Sequence, residues 1–165
     1  MKKLFALLIV TLIISGCATP PLEISRVNKS LTLAMALDRF DNMSGQYALW
    51  GGAILSGKNL AKTTELEILA YPLDGYAEPI KNSKSFGRFI LVKDGYLELG
   101  EYSKGRLVTV VGELTGKREG KVGHSQYIYP VLEVQQIKIW PEESRYYYDD
   151  SDVRFHFGVG IFHRF

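Results

Sequence analysis

The chain has 165 residues, of which Lys and Arg supply 20 and Asp and Glu 18. That length allows one domain of ordinary size, and a balance so close to neutral gives no reason to expect nucleic acid as a partner. A single cysteine excludes an internal disulfide, while 12% aromatic residues and 16 glycines favour a β-rich domain with many turns.

The N-terminus carries Lys2 and Lys3, an apolar run from Leu4 to Ile14, and then Ser15-Gly16-Cys17. A basic start, a short apolar stretch and small residues before a cut are the layout of a secretory signal peptide, here residues 1–16. The run is too short for a spanning helix, which needs roughly 20 apolar residues. Ile14-Ser15-Gly16-Cys17 resembles the lipobox of bacterial lipoproteins, with Ile where Leu is the usual first residue. The resemblance implies that the Cys17 thiol takes a diacylglycerol, that the signal is cut before it, and that the new amine is acylated. A disulfide to another chain or a buried thiol are the other roles open to a lone cysteine, but neither explains its place after Ser15-Gly16. Each buried methylene contributes about 0.8 kcal/mol, so one acyl chain anchors only marginally and two or three hold the protein for its lifetime. Ala18 rather than Asp follows the cysteine, which by the same resemblance favours the outer membrane with the domain facing the periplasm. Setting Lys2 and Lys3 aside leaves 18 basic against 18 acidic residues, so the mature chain is formally neutral.

Residues 17–30 contain Pro20-Pro21 and no periodic apolar pattern, and read as a tether. A domain follows over 31–140. Leu31 to Phe40 places Leu31, Ala34, Leu37 or Asp38, and Phe40 at roughly helical spacing, with Ser30 or Thr32 as cap and Asp41 to Gly45 as terminator. From Gln46 to Leu55 the period becomes two, with Tyr47, Leu49 and Leu55 on one face and Trp50 and Ile54 on the other. Gly51-Gly52 in its middle predicts a bend, a bulge or a close backbone approach. Ser56 to Asn59 reads as a turn. Thr63 to Ala70 alternates, Leu66, Ile68 and Ala70 inward and Thr63, Glu65 and Glu67 outward. Tyr71 to Gly75 ends that strand, a polar loop runs to Ser85, and Phe86 to Val92 is a third strand. Asp94 to Gly105 is a connector in which Tyr96, Leu97 and Leu99 could form a turn of helix. Arg106 to Thr115 is a fourth strand, Gly116 to Gly123 a polar hairpin loop, and Tyr127 to Trp140 a long fifth strand. Its apolar parity shifts between Val134 and Ile137, which predicts a bulge near Gln135-Gln136. Residues 141–165 form a tail whose stretch Val153 to Ile161 alternates and reads as an extra strand. The fold expected is mainly β: a five- to six-stranded antiparallel closed barrel, OB-like, with a short N-terminal helix. A β-sandwich is the alternative.

Chemistry is sparse. Glu65 and Glu67 share a strand face and could pair as acid and base, but that face reads as solvated, with Lys62 beside it for ordinary ion pairing. His156 and His163 lie seven apart and point to opposite faces of a continuous strand, so a metal site would need Asp149, Asp150 or Asp152 to fold back. His124 stands apart from both. There is no nucleophile elbow, P-loop or dinucleotide fingerprint. An enzyme is therefore not expected, nor a metal, nor any other cofactor. Trp50, Tyr71, Tyr127, Tyr129 and Trp140 are the candidate ligand-binding residues, able to line an aromatic groove for a glycan or peptide, with core filling as the competing role for the two tryptophans. Phe165 after an alternating stretch is similar to the last strand of outer-membrane β-barrels, but those need at least about 8 strands.

Several motifs occur in a telling order. Trp50-Gly51-Gly52-Ala53-Ile54, Leu66 to Leu73, Gly87-Arg88-Phe89 and Gly100-Glu101-Tyr102 are followed by Val108 to Gly112, Tyr127 to Val131 and Ile139-Trp140. Together they resemble the Slp family of starvation-inducible outer-membrane lipoproteins, from the lipobox to Trp140. The resemblance implies an outer-membrane lipoprotein associated with stationary phase or nutrient stress, and supplies no catalytic residues. Partners expected are the membrane through lipidated Cys17 and either an envelope protein or cell-wall glycan. Three roles follow: a non-enzymatic envelope protein acting by binding or stabilisation, a ligand-binding module using the aromatic groove, and a docking subunit that pairs Val153 to Ile161 with an envelope complex.

Overall fold

The structure, a computed structural model, describes residues 22–142. The signal segment, Cys17 and everything from residue 143 onward, including the expected strand Val153 to Ile161, His156, His163 and Phe165, lie outside the described residues.

Two short helices, α1 (Leu33–Asp38) and α2 (Phe40–Met43), precede five strands: β1 (Tyr47–Asn59), β2 (Thr63–Ala70), β3 (Gly87–Asp94), β4 (Leu107–Val122) and β5 (Ser125–Ile139). Thr32 caps α1, its hydroxyl accepting from the Met35 N–H at 3.2 Å. The buried residues of α1 are Leu33 and Ala36, not Ala34. Because the helix starts after Thr32, Leu31 is not part of it and does not set its phase. The described part of the expected tether, residues 22–30, is mostly exposed and touches the sheet at two points. Glu23 N–H donates to Gln136 Oε1 at 2.7 Å, and Val27 bridges Tyr47.

The strands close into a hydrogen-bonded ring in the order β1-β2-β3-β5-β4. All neighbours are antiparallel except β3 and β5, which run parallel over Ile90–Val92 and Val131–Glu133. The expectation of a wholly antiparallel barrel is corrected on this point. A ring with an odd number of strands cannot alternate direction all the way round, so at least one pair must be parallel.

β2 follows its sequence pattern throughout: Thr64, Leu66, Ile68 and Ala70 are buried and the alternate residues half-buried. With Trp50, Ile54, Phe89, Leu91, Val108, Val110, Leu114 and Leu132 they fill the ring. Leu31, Leu33 and Ala36 join the same core, and Trp50 Nε1–H donates to the Leu31 carbonyl at 2.8 Å. The expected bulge in β5 is present. Val111 pairs with Gln136 and Gly112 with Val134, so Gln135 is the extra residue.

Three expected loops differ. Ser56 to Asn59 is strand, paired with Glu67 to Thr64 beyond a register shift at Leu55, and the turn falls at Leu60 to Lys62. Gly116 to Val122 is also strand, so β4 and β5 form a long arm turning at Gly123-His124. Both stretches are polar on both faces, which hides strand periodicity from a hydropathy pattern. The connector has its one helical turn at Glu98 to Tyr102, where Tyr102 N–H donates to the Glu98 carbonyl at 3.1 Å. Leu97 is held out of it by its N–H bond to Thr64 Oγ1 at 3.0 Å.

Candidate functional site

The alternation of β2 puts Glu65 and Glu67 on the outer wall of the ring. The β4–β5 arm folds over that wall, so Glu65 is only 11% and Glu67 25% exposed. Arg118 Nη1 lies 2.8 Å and Lys58 Nζ 3.0 Å from Glu65 Oε2, while Arg88 Nη1 lies 2.8 Å from Glu67 Oε1. The partners are thus Lys58, Arg88 and Arg118, and not the adjacent Lys62. A cleft of about 410 Å³ between arm and wall is lined by Lys58, Glu65, Glu67 and Arg118 with Ile90, Lys121 and Tyr129.

Tyr127 and Tyr129 both belong to this region, their rings edge to face with centroids 4.7 Å apart. Tyr127 Oη accepts from the Arg88 N–H at 2.8 Å, just where β3 and β5 have stopped pairing. The Tyr129 hydroxyl lies 3.3 Å from both Glu67 Oε1 and the Lys121 carbonyl. Burial, reinforced by the Glu67 carboxylate, raises the Tyr129 phenol above its usual pKa.

The other candidate aromatics lie elsewhere. Trp50 is inside the ring, its indole edge to face with Phe89 at 5.3 Å. Trp140 lies against the outside of β4, donating from Nε1 to Thr109 Oγ1 at 2.9 Å, with Lys138 Nζ 3.6 Å from its ring centroid. Tyr71 follows β2 and donates its N–H to the Gly51 carbonyl at 3.0 Å. The five aromatics therefore do not form one groove. Sequence reasoning missed Lys58, Arg88 and Arg118. The charged run Lys117-Arg118-Glu119-Gly120-Lys121, opposite Tyr127 and Tyr129, was the available signal.

Chemically the arrangement is a closed set of ion pairs. The Arg118 hydrogen bond, helped by Lys58, holds the Glu65 carboxyl below its usual pKa against the opposing pull of burial. A carboxylate held ionised in this way is a poor proton donor near neutral pH. No group of three His, Cys, Asp or Glu suited to a metal occurs among the described residues.

With its folded pKa depressed, Glu65 stabilises the fold above the ordinary carboxyl value, and that contribution is lost as pH falls through the lowered one. Replacing Arg118 with alanine should move the Glu65 midpoint back up and cost less than about 1 kcal/mol at neutral pH, since solvent screens a partly exposed guanidinium. A carboxyl-carbon NMR titration reads the midpoint directly. An unchanged value would remove Arg118 as the principal partner.

Residues 14–161 match the outer membrane lipoprotein Slp family. An uncharacterized lipoprotein named YeaY, from Escherichia coli (strain K12), is 35% identical over 131 residues, covering 78% of this chain and 67% of that protein. An uncharacterized protein of Haemophilus influenzae is 30% identical over 141 residues, 84% of this chain and 76% of its own length. Outer membrane protein Slp of Escherichia coli (strain K12) is 31% identical over 96 residues, 58% of this chain and 50% of that protein.

Proposed function

The chain belongs to the outer membrane lipoprotein Slp family, and from that premise we propose a periplasm-facing protein held by lipid on Cys17, acting without catalysis under starvation or other envelope stress. The observation that carries this reading is where the family match starts. It begins at residue 14, the first of Ile14-Ser15-Gly16-Cys17, and so takes in the whole lipobox-like stretch.

The domain's side chains support the non-catalytic part. The two carboxylates that share a face are each engaged with a cation, at 2.8 to 3.0 Å. We read the ring as an OB-type barrel, since it has five strands, one parallel closure and a bulged β5 long enough to pair with both β3 and β4. Such a body acts by holding a partner or by stabilising what it touches. An envelope protein fits this role better than a cell-wall glycan, because the aromatic faces a glycan would stack on are dispersed.

Substituting Cys17 with serine is expected to release the protein from the outer-membrane fraction. The wild-type mature chain should carry the added mass of a diacylglycerol and an amide-linked acyl group. A wild-type chain that fractionates with membranes while its Cys17 thiol remains free would overturn the anchor.

A further inference from the structure

On the far side of the ring from the arm's ion pairs, the β2–β3 loop folds back over the outside of β1 and β4. Its Ala77 carbonyl accepts from Thr109 Oγ1 at 2.6 Å, and the same hydroxyl accepts from Trp140 Nε1 at 2.9 Å. Asp74 fixes the loop from within, Oδ1 accepting from the N–H groups of Tyr76 and Glu78 at 2.8 Å each. Ala77 holds a left-handed φ of 64° there, a conformation that costs an alanine energy and persists only when its surroundings impose it. Between this loop, the entry to β4 and the exit of β5 lies a cleft of about 710 Å³, within the size range of small-molecule sites.

We propose that this cleft binds a small zwitterion with a free carboxylate, of the short-peptide class, and that Arg106 anchors the carboxylate. Arg106 is 20% exposed, and its guanidinium is held by main-chain carbonyls, Trp140 at 2.9 Å and Glu101 at 3.4 Å. Those bonds fix its position without cancelling its charge. Its Nε–H is buried and lacks an acceptor among the described residues. The nearest carboxylate oxygen, Glu142 Oε1, stands at 3.9 Å on a side chain that is 74% exposed, beyond hydrogen-bond range and easily displaced. A buried donor without an acceptor is unfavourable, and a ligand carboxylate that displaces the Glu142 side chain and reaches Arg106 relieves part of that cost.

Lys81 and Lys104 line the same cleft, exposed and in no ion pair among the described residues. Against these cations stand Glu78 and Glu142, Asp74 being occupied by the loop. Cations and carboxylates mixed around one cleft suit a molecule carrying both charges better than a polyanion. Pro79, Ile80 and Leu107 supply an apolar wall for a short side chain. The proposal goes beyond the lipoprotein reading and does not depend on the anchor.

The test titrates Ala-Ala-Ala, its C-terminal amide and inorganic phosphate into the isotope-labelled full chain in detergent, following the amide signals of Ile80 and Gly105. The free peptide should shift both saturably at concentrations on the order of 1–10 mM. The amide should bind about tenfold more weakly, for want of a charge-assisted pair with Arg106. Lys104→Gln, an exposed change that leaves the fold intact, should weaken the peptide severalfold, and Arg106→Lys should weaken it further. The Cys17→Ser chain should bind unchanged, so loss of the anchor and loss of the site are told apart. The proposal is overturned by no saturable shift, by equal binding of peptide and amide, by phosphate binding as well as the peptide, or by indifference to Lys104→Gln.

Discussion

Gly52→Ala is expected to cost about 3 kcal/mol or more and to leave the domain largely unfolded at moderate urea. A Cβ built on Gly52 lies 1.9 Å from the Leu69 carbonyl oxygen, 2.7 Å from its carbon and 2.9 Å from Ala70 Cα. All three are backbone atoms of β2, so no side chain can swing aside to make room. The position is also where β1 changes partners. Tyr47 to Ala53 pair with β4, Gly52 to Asn59 pair with β2, and Gly52 belongs to both registers. An alanine there pushes β2 away at the corner on which ring closure depends. Gly75→Ala is the control, since a Cβ there meets nothing within 4 Å, and surface changes of that kind usually stay within about 0.5 kcal/mol. Urea denaturation followed by circular dichroism compares the two. Equal midpoints would mean that the strands can separate at Gly52 at little cost.

Gly52 also marks how much of the fold could be read from the chain. A pair of glycines inside an alternating strand predicted a bend or close approach, and the close approach is there. β2 was legible end to end because one of its faces is apolar and the other is not. The β5 bulge was legible because an inner face that must stay apolar shows a slip in parity as soon as a residue is added. Where both faces of a strand are polar, as in Gly116 to Val122, the pattern carries no sign of pairing and the segment reads as loop. The charged cluster failed for a different reason. Glu65 meets Arg118 across 53 residues of sequence, and no local spacing encodes which of the chain's cations will be brought to it. The aromatics show the same limit, since composition names Trp50 and Trp140 alike while topology puts one inside the ring and the other outside.

The second large effect is expected at Phe89. Its side chain is fully buried and meets Trp50 edge to face at 5.3 Å. Phe89 stands immediately before Ile90, where the parallel seam between β3 and β5 begins. That seam is three residue pairs long, whereas β2 and β3 pair over eight. Few hydrogen bonds therefore hold β3 to β5, and packing of the inner face of β3 must supply much of the closure. Phe89→Ala removes a ring from that face and opens a cavity beside Trp50, at an expected cost of about 3–5 kcal/mol. Ile90→Ala, on the half-buried outer face of the same strand, should cost less, about 1–2 kcal/mol. The indole of Trp50 reports locally, and its emission should shift in Phe89→Ala under native conditions while remaining unchanged in Ile90→Ala. If the order of the two costs were reversed, closure would rest on the outer wall and its ion pairs, and the inner core would be secondary.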